Sequence, residues 1–426
     1  MLTSLYTAIT GMNANGTWLS VIGDNIANMN TVGFKSSRVS FSDVLAGVVG
    51  SLQVGRGVLT SDVSPLFTQG SFETTANALD LSIDGDSFFI VSENGAQYYT
   101  RAGQFSVDKD GNVVNPAGSI LQGYLADTSG NITGTIGNLQ ISGTQSLANA
   151  TDNAVISLNL NSTAAIQTSP FTLDSNGDGT SDDPANYNFS NTVSVYDSQG
   201  GVHQVTMYFV KTADNAWTVH YVHPDSANPA VLIDAGTQSL TFDTNGALVN
   251  DNSGTSISFD FGASVTSPQD ITFDFGTGIA EAGDGLDGTT QYSSDFGIMH
   301  LSQDGYPAGS LTNVSISEDG TITGVFTNGQ TRAIGRIALA KFIAPDGLAK
   351  LGRNLYAESF DSGQPIIGMA DTAGLGRVLS NSLELSNVDL AEEFVKMISA
   401  QRGFQANSRI ITTTDELLQE LVNLKR

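Results

Sequence analysis

The sequence lacks cysteine and is poor in positively charged residues. With no cysteine among 426 residues, disulfide scaffolds, thiolate zinc sites and cysteine nucleophiles are excluded. Only 17 basic residues stand against 43 acidic ones, and the formal net charge is −26. Because a nucleic-acid partner requires a basic surface that displaces counterions, nucleic-acid binding is excluded as well.

Long apolar runs are also missing. No run of about 18 apolar residues occurs, and a membrane-spanning helix needs roughly that length, so we expect no membrane insertion. The N-terminus does not resemble a secretory signal, because its first basic residue is Lys35 and its apolar residues are spaced apart. We therefore expect a protein that stays in the cytosol or leaves the cell by a route that reads no such signal.

The acidic charge is concentrated in one part of the chain. Residues 144–290 contain 17 acidic residues and a single basic one, Lys211. A block so different from its surroundings predicts a separate domain that is inserted into a more balanced parent.

Apolar residues recur every seven positions near both ends of the chain. Near the N-terminus these are Leu5, Met12, Leu19 and Ile26, and near the C-terminus Leu390, Met397, Phe404, Ile411 and Leu418. Ile9 and Phe394 occupy the second apolar position of the heptad. Heptad spacing predicts helices that pack on each other or on other copies of the chain. We expect the C-terminal helix over about 388–424, with Asn387 or Asp389 as its N-cap. We call these eleven residues the predicted apolar stripe.

The sequence between the helices predicts β-structure. Hairpin-type dipeptides separate apolar or alternating runs at Asp110-Gly111, Asn245-Gly246, Asp319-Gly320 and Asn328-Gly329. A further hairpin is expected around Gly200-Gly201, where flanking valines alternate. The near-copies ISFDFG at 257–262 and ITFDFG at 271–276 predict two neighbouring strands of one sheet.

Residues that could support catalysis or metal binding are sparse. Asp174, Asn176, Asp178 and Gly179 match the start of a calcium loop, and Asp182 follows them. The twelfth position, however, is Ala185 where such a loop has glutamate. A polar turn is the favoured interpretation of this segment, and a weak calcium site is the alternative. No motif places a nucleophile beside a base, so we expect neither an enzyme nor a bound cofactor.

The most specific local pattern follows the first helix. In NIANMNTVGFK, residues 25–35, Asn28 and Thr31 compete with the backbone for hydrogen bonds and end the helix. Gly33 permits a positive φ and Phe34 can anchor the turn in a core. An ordinary helix stop would explain the same residues.

This motif and three further segments resemble the flagellar axial proteins, the rod and hook family. The others are LDLSIDGDSFFIV at 79–91, YTRAGQFSVDKDGNVVNPAGSILQGY at 99–124, and the stretch from SNVDLAEEF to LLQELVNL at 386–424. Within the family, the additional β segment, the length and the C-terminal ending resemble hook members. The distal rod proteins, which resemble a version of this chain without the large insert, are the alternative.

The resemblance implies a mainly β fold with terminal α-helices, in a nested multidomain axial protein. It implies a coiled-coil-like helical core from 1–30 and 385–426, a connecting region from 31–70 and 361–384, a proximal β domain from 71–143 and 291–360, and a distal acidic β domain from 144–290. The implied function is a homopolymer that forms a curved tube and passes torque from rod to filament. The implied partners are the distal rod protein, the hook cap, the hook–filament junction protein and the export apparatus that passes subunits through the flagellar channel.

Overall fold

The computed structural model describes residues 2–45, 55–127, 129–141, 145–252 and 254–423. The chain divides into two compact units. The first comprises 1–144, 311–325 and 331–426, and the second comprises 145–310 and 326–330. The fold is mainly β with one helix near each end of the chain, which confirms the predicted fold class. The finer division into four domains stays a prediction.

The two helices are α1 (Leu2–Ala27) and α2 (Leu390–Asn423). Asp389 is the N-cap of α2, because its Oδ1 accepts hydrogen bonds from the backbone N–H groups of Ala391 at 2.8 Å and Glu392 at 3.2 Å. Of the two predicted capping residues, Asp389 is therefore the correct one. Two acidic residues in the first turn also favour the positive end of the helix dipole.

The strands follow one another along the chain between these helices. Before the second unit they are β1 (Ser37–Leu45), β2 (Gly55–Pro65), β3 (Phe72–Thr74), β4 (Leu81–Asp84), β5 (Phe88–Glu93), β6 (Ala96–Thr100), β7 (Ser106–Val107), β8 (Val113–Val114), β9 (Ile120–Ala126) and β10 (Ile132–Asn138). Next come β11 (Gln145–Ser146), β12 (Asn153–Asn159), β13 (Phe189–Tyr196), β14 (Val202–Ala213), β15 (Ala216–Pro224), β16 (Leu232–Phe242), β17 (Leu248–Asn250), β18 (Ser256–Phe259), β19 (Gln269–Asp274) and β20 (Gly297–Gln303). The last are β21 (Gly309–Ile316), β22 (Thr321–Phe326), β23 (Thr331–Lys341), β24 (Ala349–Gly352), β25 (Leu355–Ala357), β26 (Ile366–Met369), β27 (Arg377–Ser380) and β28 (Ser382–Glu384).

The first unit is organised around β5. Its sequence FFIVSE is apolar without alternation, and the structure buries both faces of the strand. Phe89 and Val91 enter one hydrophobic cluster, whereas Phe88 and Ile90 enter another. Strands β23, β9, β5, β6 and β25 lie side by side in the sheet that separates these clusters. A separate hairpin, β1 with β2, follows α1.

The second unit is a pair of sheets around one core. The sheet β13-β14-β15-β16-β17 and the sheet β18-β19-β12-β20 contribute to the same buried cluster. The alternating residues of β14 and β15 point into it, with Met207, Phe209, Trp217 and Tyr221 all buried. The near-copies ISFDFG and ITFDFG form β18 and β19, which pair antiparallel with Ile257 opposite Ile271. That prediction is confirmed.

The predicted turns are hairpin turns in the structure, and several share one device. In each, the Oδ1 of the first residue accepts hydrogen bonds from the N–H groups two and four positions later, as Asp243 does from Asn245 and Ala247 at 2.8 Å each. Among the predicted turns, the residues in this role are Asp108, Asp197 and Asp243. Asn115 and Asp127 have the same role in two further turns that were not predicted. For Asp243, these backbone hydrogen bonds hold the pKa of the carboxyl below its usual value.

Candidate assembly surface

The two helices pack against each other in an antiparallel arrangement. Gly11 lies beside Asn407 and Gly403 lies beside Asn15, while Asn25 donates a hydrogen bond to Glu393 at 3.2 Å. We call this contact between the helices the seam. The buried positions of the two helices are small or polar with few exceptions. They are Ala8, Gly11, Ala14, Ile22 and Asn25 on α1, and Glu393, Ala400 and Thr414 on α2.

The predicted apolar stripe has the period of this seam but lies on a different side of each helix. Residues 8, 15 and 22 follow the stripe residues by three positions, and so do 393, 400, 407 and 414 on α2. Three residues turn an α-helix by about 300°, so these positions lie roughly 60° from the stripe. Gly11, Asn25 and Gly403 each precede a stripe residue by one position and lie about 100° from it. Inside one chain, the closest helix contact is therefore made by neighbouring small residues and not by the stripe.

The stripe residues remain partly or largely exposed. Leu5, Ile9, Met12, Leu19 and Ile26 are half-buried, as are Leu390, Met397, Ile411 and Leu418. Phe394 and Phe404 are 50 % and 39 % exposed. Further large apolar side chains of α2 are also exposed, namely Val395, Ile398, Ile410 and Leu417. The helix pair thus presents a large apolar surface that nothing within the described part of the chain covers.

The motif that follows α1 forms a tight turn at the base of the helix pair. Asn28 Nδ2 donates to the carbonyl of Asp24, and Thr31 Oγ1 donates to Asn28 Oδ1, so both side chains serve the helix end. Gly33 has a φ of +69°, and a Cβ there would lie 2.6 Å from the backbone nitrogen of Ala102. Phe34 is buried. In the structure these residues end α1, and Gly33 adopts the positive φ that glycine permits.

A buried ionic cluster lies directly beside this turn, and the sequence analysis missed it. Lys35 Nζ contacts Glu384 Oε1 at 2.6 Å, and Arg101 Nη1 contacts Glu384 Oε2 at 3.5 Å, with all three side chains almost fully buried. Lys35 Nζ also donates to the carbonyl of Thr68 at 2.7 Å. The backbone of Gly33 donates to the Glu384 carbonyl at 2.7 Å. The cluster therefore joins the segment after α1, the β-sheet and the segment before α2.

The electrostatics of the cluster follow from its burial. Burial lowers the pKa of Lys35 below its ordinary value, and the attraction of Glu384 opposes that effect. Burial likewise lowers the pKa of Arg101. The neighbouring Tyr356 has its pKa raised by burial to about 12 and is neutral. Two buried cations thus share one carboxylate, so Glu384 is the group on which the pairing depends.

Two asparagines attach the β1–β2 hairpin to both helices. Asn25 on α1 accepts from the Ser37 N–H at 2.8 Å and donates to the Ser37 carbonyl at 3.0 Å. Asn387, just before α2, accepts from the Ser36 N–H at 2.8 Å and donates to the Leu66 carbonyl at 2.9 Å. The motif in the sequence includes Asn25, whereas the sequence indicates Asn387 only as a candidate helix cap.

The candidate calcium loop is satisfied by its own hydrogen bonds. The Asp174 carboxylate accepts from the N–H groups of Gly177 at 2.7 Å and Gly179 at 3.0 Å. Asn176 Nδ2 donates a hydrogen bond to Asp178 Oδ2 at 3.1 Å, and Asp182 lies in the same loop. Within the described residues, no group of three or more histidine or acidic side chains could hold a metal ion. The described helices also include none that is long and apolar enough to cross a membrane.

Family models match successive parts of the chain. Residues 5–35 match the flagella basal body rod protein, and 82–178 match the flagellar hook protein FlgE/F/G D1 domain. Residues 159–306 match the flagellar basal body protein FlaE D2 domain, and 379–424 match the C-terminal part of the flagellar basal body rod FlgEFG protein. The matches include both terminal helices and most of the acidic β segment.

Named relatives match over the whole length. The flagellar hook protein FlgE of Salmonella typhimurium is 37 % identical, covering 98 % of this chain and 99 % of its own. The hook protein of Borreliella burgdorferi is also 37 % identical, with full coverage of both chains. The crystal structure of Helicobacter pylori hook protein FlgE2 matches 73 % of this chain and 100 % of its own at 18 % identity, with a TM-score of 0.50, and so supports the fold. The chain belongs to the flagellar hook protein family.

Proposed function

We propose that this chain is the structural subunit of a bacterial flagellar hook and has no catalytic role. Copies of it polymerise into a curved, flexible tube that acts as a universal joint and transmits torque from the rod to the filament. The carrying observation is the apolar surface of the helix pair, on which Phe394, Phe404 and their neighbours stay exposed in the single chain. A surface of this kind marks a protein–protein interface.

The predicted apolar stripe is the part of this surface that we assign to contacts between copies. The small residues of the seam already hold α1 and α2 together within one chain, so the larger side chains are left for neighbouring subunits. Fully burying such a side chain contributes about 1.5–3 kcal/mol, and half-exposed ones contribute proportionately less. Many such contacts per subunit would hold the tube together.

The other partners follow from the position of a hook. The ends of the assembled tube would contact the distal rod protein, the hook cap and the hook–filament junction protein. Individual subunits would leave the cell through the flagellar export apparatus. The acidic, polar second unit suits contacts that are wet and individually weak. A distal rod protein is disfavoured because relatives that match throughout the chain, including residues 145–310, are named hook proteins.

The test is tube assembly by full-length variants of Phe404. Phe404→Asp introduces a charge on the exposed apolar surface and should abolish tubes in electron micrographs, whereas the matched control Phe404→Leu should retain them. The melting of the β units should be the same in both variants. Normal polymerisation of Phe404→Asp would contradict the assignment of this surface. Failure of the wild-type gene to restore motility to a strain without its hook gene would favour the rod alternative.

A further inference from the structure

Both terminal helices contain a matching octapeptide. Residues 8–15 read AITGMNAN and residues 400–407 read AQRGFQAN. The two segments share alanine, glycine, alanine and asparagine at equivalent positions, with an apolar residue of the stripe directly after each glycine. We call them the paired octapeptides. The heptad pattern does not reveal these segments, because that pattern follows apolar residues and the shared glycine and asparagine are not part of it.

The paired octapeptides meet each other in the structure. A Cβ built on Gly11 would lie 2.8 Å from Asn407 Nδ2, and a Cβ built on Gly403 would lie 2.8 Å from Asn15 Oδ1. Each asparagine thus fills the space that the opposite glycine leaves. Such distances are shorter than real Cβ atoms tolerate, so a side chain at either glycine position requires the opposite asparagine amide, the end of a flexible side chain, to move.

The hydrogen bonds hold each asparagine in this position. Asn15 Nδ2 donates to the Gly11 carbonyl at 2.7 Å, and Asn407 Nδ2 donates to the Gly403 carbonyl at 3.0 Å. Each amide is therefore bonded within its own helix while its side chain contacts the other. The two contacts are equivalent under a local two-fold axis, as in an isologous interface.

This arrangement specifies one register between the helices. If α2 moved by one turn along α1, Asn407 would meet Ala8 or Asn15 in place of Gly11. Both carry a Cβ, so that register would be overpacked. The same two-fold relation places Met12 of the stripe in the position equivalent to Phe404, and Leu5 in the position equivalent to Met397.

We infer that the paired octapeptides are positioning elements for assembly: their reciprocal glycine–asparagine contacts fix the register of α1 and α2, and thereby align the two halves of the apolar surface that neighbouring copies bind. This inference rests on the proposed function. It assigns Gly11, Asn15, Gly403 and Asn407 a role that acts through the stripe residues and not by direct contact with a neighbouring copy.

The test exchanges the members of one contact in the full-length chain. Gly11→Asn overfills the site, Asn407→Gly empties it, and the double variant restores one glycine opposite one asparagine. Gly16→Asn is the matched control, because a Cβ on Gly16 has no neighbour within 4 Å. Asparagine has a helix propensity no worse than that of glycine, so helix propensity would not explain a loss of assembly in Gly11→Asn.

Two measurements are made on the wild type and the four variants. The first is the critical concentration for tube formation, which Gly11→Asn should raise about tenfold or more and the double variant should return towards the wild-type value. The second is the protection of residues 8–15 and 400–407 from hydrogen exchange in the monomer. Gly11→Asn should lower this protection, and the double variant should return it towards the wild-type value. Gly16→Asn should leave both quantities unchanged, and the β units should melt alike in all variants.

The outcomes separate the inference from the proposed function. Unchanged assembly by Gly11→Asn, or a double variant no better than the worse single one, would overturn the register role. If monomer protection follows the expected order but assembly does not, the contacts are structural only and the inference is wrong. If the wild type forms no tubes at all, the proposed function fails, while the exchange measurement still decides whether the paired octapeptides fix the helix register.

Discussion

Replacing Glu384 by glutamine should destabilise the first unit far more than a surface Glu→Gln change. Glu384 is the single carboxylate between the buried Lys35 and Arg101. Its loss leaves two buried cations without their carboxylate partner, and breaking such a buried ion pair costs about 3–5 kcal/mol. The matched control is Glu93→Gln, which removes a surface ion pair with Arg353 at 3.3 Å. That change should cost less than about 1 kcal/mol.

The cost of Glu384→Gln should also shrink as the pH rises from 7 towards 10. Lysine in the unfolded chain holds its proton up to its ordinary pKa of 10.5, whereas burial lowers the pKa of Lys35 in the folded state. Between those two values the unfolded state binds more protons, so the folded state gains stability with rising pH. Without the carboxylate the folded pKa falls further, which widens this window in the variant.

Urea unfolding of the full chain, followed by pulsed hydrogen exchange of peptides from the first unit, measures both effects. The free energy of unfolding is compared for the wild type, Glu384→Gln and Glu93→Gln at pH 7 and pH 10. If Glu384→Gln costs no more than Glu93→Gln at pH 7, the cluster is not the electrostatic junction that its geometry indicates. A cost that grows with pH would refute the assignment of Lys35 as the titrating group.

Three further changes test other parts of the structure. Gly33→Ala should destabilise the first unit by more than the roughly 1–2 kcal/mol that a positive φ costs, because its Cβ would also contact backbone atoms. The control Gly95→Ala, at a φ of +84° in open space, should cost only the free energy of the positive φ. Equal losses of stability in thermal unfolding would contradict this. Asp243→Asn should keep its turn, because Asn115 makes the same hydrogen bonds in an equivalent turn. In the wild type the lowered pKa of the Asp243 carboxyl stabilises the fold above about pH 4, and this stabilisation is lost as the pH falls through the pKa of the folded state. The free energy of unfolding should therefore depend less on pH in the acid range in the variant, and an unchanged dependence would refute this. Calcium at about 1 mM, the range of weak extracellular sites, should not raise the melting temperature, because the Asp174 carboxylate already accepts hydrogen bonds from two backbone N–H groups. A clear rise would support the alternative interpretation of this loop as a calcium site.

The sequence predicted those features that depend on local chemistry. Turn dipeptides such as Asn245-Gly246 predicted hairpins because few residues adopt the required backbone angles. The heptads predicted two helices for the same kind of reason, since a seven-residue apolar period suits no other element. The resemblance then placed the pieces in one family, which neither composition nor periodicity could do.

What the sequence did not predict depends on pairs of residues far apart in the chain. Lys35 and Glu384 each occur in segments without an obvious partner, and only the fold brings them to 2.6 Å. The residues of the seam within one chain were also not predicted, because heptad spacing does not distinguish contacts between the two helices from contacts with other copies. The repeated Ala-x-x-Gly-x-x-Ala-Asn pattern was a visible signal, but its meaning needed the antiparallel contact of Gly11 with Asn407.

The composition of the helix seam explains how one pair of helices can satisfy two kinds of contact. A seam of large apolar residues would stabilise the single chain, but it would use up the surface that a polymer needs. Here small residues and hydrogen-bonded asparagines make the contact within the chain, and they bury little apolar area. Phe394, Phe404 and Leu417 therefore stay exposed and are available for the contacts with other copies that we propose. The helix pair should therefore be most stable when neighbouring copies cover it, whereas the β units have buried cores of their own.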